Sequence, residues 1–287
     1  MVNNYRDIYY RVDDGLRLYA RDYNLSSSST VVLCLHGLSR NSADFEPLCE
    51  SIASRFRVIS VDQRGRGLSQ WDDDPSRYQL PKYVEDMWQL LDQQGVEQVI
   101  VIGTSMGGLM GMLMAAQKPD RIKGLVINDV GPEVDPDGLA RIMGYVGKTT
   151  EIKTWDDAAA QAQSINQVCF PNFTQLQWQA MARRTYREND QGVPVVNYDP
   201  KISAPIQSDS AAAVPTDLWP LFDGLTIPLL TLRGALSDLF SASCLARMVE
   251  SQPRMNWVEV DDMGHAPVLD EPQAVSAIQN FLNQLSD

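Results

Sequence analysis

Short, nearly uninterrupted apolar runs recur along the chain at 31–35, 57–61, 98–102, 124–127, 228–232 and 256–260. Runs of this length, rich in Val, Ile and Leu and lacking polar alternation, suit strands buried on both faces. Most are separated by segments whose apolar residues repeat at helical spacing, at 42–54, 81–94, 106–117, 241–251 and 272–285. Proline opens two of these segments, where a first helical turn has no use for its missing N–H. Strand and helix in regular alternation predict an α/β fold built on a mostly parallel sheet. Ahead of them, 5–12 and 16–23 are β-prone stretches joined by Asp13-Asp14-Gly15, which reads as a hairpin at the sheet edge.

The strand rhythm stops between Asp129 and about Asp217. That stretch carries helical patterns at 155–167 and 174–186, and a proline-containing return path at 192–215. The expected organisation is a core domain in two parts, 1–131 and 218–287, with a helical cap inserted at 132–217. The only low-complexity tract is the serine-rich loop at 26–29.

Composition narrows the partners. Of 287 residues, 44% are hydrophobic and 21% charged, which is ordinary for a chain that buries a core. Net charge is −13 and no run of Lys or Arg offers a footprint for a phosphate backbone, so nucleic acid is not an expected partner. No apolar stretch approaches the length of a membrane span and no leader pattern opens the chain, so no membrane association and a cytoplasmic location are expected. The four cysteines, Cys34, Cys49, Cys169 and Cys244, are scattered without C-x-x-C spacing, and no metal site is expected. Nothing in the sequence opposes a homodimer.

The chemistry centres on Gly103-Thr104-Ser105-Met106-Gly107-Gly108, which follows the 98–102 strand and leads into a helix. Glycines on both sides of a serine at a sharp strand-to-helix turn leave its hydroxyl exposed at the sheet edge, as a nucleophile requires. A phosphate-binding turn is the competing reading, but the G-K-[ST] ending and a G-x-G-x-x-G unit are both absent. A serine hydroxyl needs a base, and the chain has two histidines, His36 and His265. His265 follows the last strand, in Gly264-His265-Ala266-Pro267, and is the expected base. His36 precedes the serine and is read as shaping its loop. The acid should end a strand between nucleophile and base. Asp238, in Ser237-Asp238, is preferred, with Asp129 as its rival. Backbone amides of Met106 and Leu38 are the expected oxyanion donors. The stretch 62–69, Asp-Gln-Arg-Gly-Arg-Gly-Leu-Ser, is read as a hydrogen-bonded brace.

Together, His36-Gly37, the 62–69 stretch, the Ser105 turn, Ser237-Asp238 and Gly264-His265 resemble the α/β-hydrolase fold superfamily over nearly the whole chain. The resemblance implies an eight-stranded, mostly parallel sheet flanked by helices, a cap after the sixth strand, and activity without metal or organic cofactor. It leaves several reactions open. Dehalogenases and epoxide hydrolases of the superfamily carry aspartate where Ser105 stands, and carbon–carbon hydrolases usually place an aromatic soon after the histidine, where this chain has Ala266-Pro267-Val268. The expectation is a carboxylesterase-like serine hydrolase with catalytic Ser105, Asp238 and His265, acting on a small or medium-sized apolar ester. Lactone or carbon–carbon hydrolysis and ligand sensing are the alternatives. Trp155, Phe170, Phe173, Trp178, Met181 and Tyr186, with Met143 and Tyr145, are candidates for the acyl pocket, although aromatics at helical spacing more often pack against protein.

Overall fold

The computed structural model describes residues 4–24, 29–148, 151–207 and 217–286. Residues 26–28 of the serine-rich loop and 208–215 of the return path lie outside them.

In chain order the elements are β1 (Arg6–Arg11), β2 (Arg17–Tyr23), β3 (Val31–Leu35), α1 (Glu46–Ile52), β4 (Arg57–Asp62), α2 (Leu80–Gln93), β5 (Val99–Thr104), α3 (Met106–Gln117) and β6 (Ile122–Asn128). An insertion follows, with α4 (Pro136–Met143), α5 (Trp155–Asn166), α6 (Gln175–Thr185), β7 (Tyr186–Glu188), β8 (Pro194–Val196) and α7 (Ala204–Gln207). The chain closes with α8 (Trp219–Asp223), β9 (Leu229–Gly234), α9 (Ala242–Ser251), β10 (Asn256–Val260) and α10 (Pro272–Leu285). Eight strands form one sheet in the order β1-β2-β4-β3-β5-β6-β9-β10, while β7 and β8 make a separate hairpin. The pairings of β1 with β2 and of β2 with β4 are antiparallel, and the other five are parallel. The hairpin turn at Gly15 takes φ 88°, a left-handed conformation that glycine adopts without Cβ strain.

The central strands are apolar because both faces are covered. All five residues of β3 are buried, as are five of the six in β5. On one side of the sheet lie α2, α3 and α8, and on the other α1 and α10. Helix α3 sits deepest, with nine of its twelve residues buried. Its Gly111 lets the helix approach closely: a Cβ there would fall 2.5 Å from Leu125 Cδ1.

Strands β4, β5, β6 and β9 end one or two residues beyond the apolar runs, while β3 and β10 end with them. β5 extends to Thr104 and β6 to Asn128, because polar residues at a sheet's C-terminal edge still join its ladder. The expected helix at 42–54 divides into a 3₁₀ turn (Ser42–Phe45) and α1, with Pro47 in the first turn of α1. Serine and threonine side chains start several helices: Ser241 caps α9, and Thr154 and Thr174 form capping boxes on α5 and α6. Among the described residues no helix is long and apolar enough to cross a membrane.

Candidate active site

The turn between β5 and α3 holds Ser105 at φ 53° and ψ −117°, and its N–H donates to Asn128 O on β6 at 2.9 Å. The flanking glycines are required by space. A Cβ on Gly103 would meet Gly107 O at 2.2 Å, and one on Gly107 would meet Leu35 O at 2.0 Å, so any side chain would push apart β3, β5 and the start of α3. Met106 is the first residue of α3, and its N–H has no acceptor within the helix.

Ser105 Oγ lies 2.9 Å from His265 Nε2, and His265 Nδ1 lies 2.8 Å from Asp129 Oδ2. With Nδ1 donating to the carboxylate, Nε2 carries the lone pair that accepts the serine proton. Asp129 directly follows β6, at φ 58°, and is fully buried. Its Oδ1 accepts from Gly234 N at 2.7 Å, and its Oδ2 also accepts from the Ser237 hydroxyl at 2.7 Å. Three donors thus converge on one carboxylate and orient it toward the imidazole.

The expected acid is therefore corrected: Asp129, not Asp238, meets His265. Asp238 is clasped by Arg141 of α4, through Nε to Oδ2 and through Nη2 to Oδ1 at 2.9 Å. Its carboxyl lies below the usual range; partial burial would raise it, and the Arg141 guanidinium prevails. Helix α4 packs directly on this loop, since a Cβ on Gly138 would fall 2.4 Å from Asp238 O. A position two strands from β5 and tied to the insertion leaves Asp238 committed elsewhere, whereas β6 pairs with β5 and β9 at once and brings Asp129 to the histidine.

The loop bearing His265 is fixed from several sides. Asn128 Nδ2 donates to Pro267 O at 2.8 Å, and the Glu271 carboxylate accepts from the amides of Val268 (2.8 Å) and Leu269 (2.9 Å). From the insertion, Cys169 O accepts from Gly264 N at 2.6 Å.

The loop after β3 faces the nucleophile, with a Cβ built on Gly37 lying 3.6 Å from Ser105 Cβ. His36 is fully buried, and burial pushes its pKa down to about 3. It is therefore neutral: Nε2 accepts from Gln63 N at 3.0 Å, and Nδ1 donates to Gly37 O at 2.7 Å. The stretch 62–69 braces this loop. Arg66 donates through Nε to Leu38 O at 2.9 Å and through Nη1 to Arg64 O (2.7 Å) and Tyr83 Oη (2.8 Å). Arg64 is itself held by Asp86, Asp72 and Asp14. Bonding at Leu38 O fixes the orientation of the loop that carries the Leu38 amide.

Ser105 and His265 open onto a cavity of about 600 Å³ walled by the β3 loop, α4, α5, the end of α6 and the β7–β8 hairpin. Of the eight expected lining side chains, Phe170, Tyr186 and Tyr145 line it. Trp178 and Phe173 stack with Phe170 into a cluster of the insertion's own, centroids 4.6–6.2 Å apart, and Met181 packs with them. Trp155 packs beside Ala158 and Tyr186. The sequence does not mark two wall residues, Arg40 and Arg184, or the hydrogen bond from Ser237 to Asp129; no local pattern singles out the arginines, while Ser237 stands beside Asp238, the expected acid.

The α/β hydrolase fold family model matches residues 30–272. A 3-hydroxybutyrate-oligomer hydrolase from Cupriavidus necator is 32% identical over 271 residues, covering 92% of each chain. A 2-(acetamidomethylene)succinate hydrolase from Mesorhizobium japonicum is 30% identical, over 95% of this chain and 94% of its own. The crystal structure of an α/β hydrolase from Novosphingobium aromaticivorans superimposes with a TM-score of 0.94 at 44% identity, covering 99% of this chain and all of that one. With the elbow, the buried parallel sheet and a family match across most of its length, the chain belongs to the α/β-hydrolase fold family.

Proposed function

We propose that this hydrolase cleaves a carboxylic ester of a small or medium-sized substrate through an acyl-enzyme on Ser105. The observation that carries the reading is the continuous relay from Ser105 Oγ through His265 to the buried Asp129, opening into the cavity. His265 Nε2 takes the serine proton as Oγ attacks the substrate carbonyl, and Asp129 stabilises the imidazolium that forms. The negative oxygen falls to the amides of Met106 and Leu38. Collapse breaks the bond to the alcohol, which leaves with the proton from His265. Water, deprotonated by the same nitrogen, then attacks the acyl-enzyme and restores Ser105.

The similarity to a hydrolase of 3-hydroxybutyrate oligomers supports an ester, since an oligomer of a hydroxy acid is joined by ester bonds. In this reading the helical insertion acts as a cap that shapes the acyl pocket, with Phe170, Tyr145 and Tyr186 on its wall.

The test is hydrolysis of p-nitrophenyl esters of increasing acyl length by wild type and Ser105→Ala, with mass spectrometry after fluorophosphonate treatment. Turnover and labelling at Ser105, both lost in a folded Ser105→Ala protein, are expected. Labelling without turnover of any ester would reject the ester reading in favour of lactone, carbon–carbon or sensing roles. Undiminished activity in the variant would reject the nucleophile.

A further inference from the structure

The chain is strongly acidic, yet the charges left without partners on the cavity wall are positive. Three wall carboxylates are already engaged. Asp44 pairs with Arg40 at 2.6 Å, Glu151 with Lys153 at 3.1 Å, and Asp157 accepts from the amides of Lys153 and Thr154. Arg184, at the end of α6, is different. Its Nε is buried and finds no acceptor among the described residues, and no described side chain pairs with its guanidinium. A buried donor left unmet costs free energy unless water or a ligand supplies the acceptor, and a carboxylate is the stronger acceptor of the two for a guanidinium.

Arg184 lines the same cavity as Ser105 and His265, and its backbone is tied to the loop that faces the nucleophile. Its carbonyl accepts from Asn41 Nδ2 at 2.7 Å, which pins the end of α6 to the loop after β3. The neighbouring Arg40 runs its stem beside the nucleophile: the Cβ point of Gly37 lies 3.8 Å from Arg40 Cγ and 3.6 Å from Ser105 Cβ. Lys148, without an ion pair among the described residues, adds a third cation on the wall. We propose that the substrate carries a free carboxylate apart from its scissile bond, and that Arg184 binds it, with Arg40 flanking. This rests on the ester-hydrolase reading and names its substrate class.

The planar guanidinium matches a carboxylate through two parallel N–H donors. A dianionic phosphate fits less well, because Asp44 sits against Arg40 and would repel the second charge. The cavity volume equals that of a sphere about 10 Å across, room for a short chain between the scissile carbonyl and the anion.

The test compares matched esters that differ only in the remote group, a carboxylate against a neutral primary amide: monobutyl glutarate against butyl 5-amino-5-oxopentanoate, and 3-(butanoyloxy)butanoate against 3-(butanoyloxy)butanamide. Wild type is expected to favour the free acid by about tenfold or more in kcat/KM in at least one pair, the usual worth of a charged hydrogen bond. In Arg184→Met that ratio falls to within a few-fold of one, and Arg184→Lys restores part of it. Turnover of both members at equal rates, or a ratio untouched by Arg184→Met, overturns the carboxylate site while leaving the ester reading intact.

Thermal stabilisation by glutarate against glutaramide gives a readout free of turnover. If no ester is cleaved but glutarate selectively stabilises wild type and not Arg184→Met, the carboxylate site stands and the ester reading falls. Absence of both turnover and selective stabilisation rejects the two together.

Discussion

Asp129→Asn separates the two candidate acids most sharply. The native carboxylate receives three donors on two oxygens, Gly234 N on Oδ1 and Ser237 Oγ with His265 Nδ1 on Oδ2. An amide has only one oxygen to offer. If it stays toward Gly234 N, its NH₂ faces His265, whose Nδ1 must then accept; the ring proton moves to Nε2, and the base can no longer take the serine proton. If the amide turns over, His265 keeps its working tautomer, but the buried Gly234 N–H faces another donor at a cost of about 1–3 kcal/mol. That alone reduces the competent form roughly ten- to hundredfold. Loss of the negative charge that steadies the imidazolium takes more, for a combined fall in kcat of about 10³–10⁴. Asp238→Asn, by contrast, should leave kcat within about tenfold and cost no more than about 1 kcal/mol of stability, because its partner pair is partly exposed and screened. The assay is steady-state hydrolysis of p-nitrophenyl butyrate by both variants, with urea unfolding as the control for folding. An Asp129→Asn enzyme above a tenth of wild-type kcat, alongside an Asp238→Asn enzyme depressed a thousandfold, would refute the assignment.

Two further outcomes follow from the same geometry. His36 is neutral when folded because its pKa is depressed to about 3, so the unfolded chain binds a proton below pH 6.5 that the native protein refuses. Its contribution is complete above pH 6.5 and is lost as pH falls toward 3, by about 1.4 kcal/mol per unit; urea midpoints measured from pH 7 to 4 should fall less steeply in His36→Asn, and an unchanged slope would contradict the depressed value. Gly107→Ala should destabilise by at least about 3 kcal/mol and prevent fluorophosphonate labelling, because the new methyl meets the Leu35 carbonyl, which is backbone and cannot swing aside; a normal melting temperature would show that β3 and α3 are not so close.

What was legible in the sequence depended on how locally each feature is encoded. The Ser105 elbow was readable because its glycines, strand and helix are contiguous, and steric room at Gly103 and Gly107 is a property of those few residues. His265 emerged by scarcity, one of two histidines and the only one after the last strand. The acid is harder to read because two aspartates follow strands at the same sheet edge, and which of them meets His265 is decided by a partner 97 residues from Asp238. No periodicity reports that Arg141 will claim one carboxylate and leave the other to the histidine. The same limit hid Arg184, whose significance lies in what fails to meet its buried Nε. For the insertion's aromatics, helical spacing announced burial, but whether a ring faced Trp178 or the cavity was decided by how α5 and α6 cross.

In the proposed mechanism the acid follows β6, which has a consequence for how such an enzyme diversifies. On that reading the segment after β9 is relieved of proton chemistry, apart from the Ser237 hydroxyl and the Gly234 amide that steady Asp129, and Asp238 serves as an anchor for α4. Sequence drift at Asp238 or Arg141 would then alter how firmly the roof is moored over the substrate, and so which molecules enter and how long they stay, with the bond-breaking apparatus left in register beneath it. Selectivity and turnover, so often entangled in one loop, would here be adjustable from separate places in the chain.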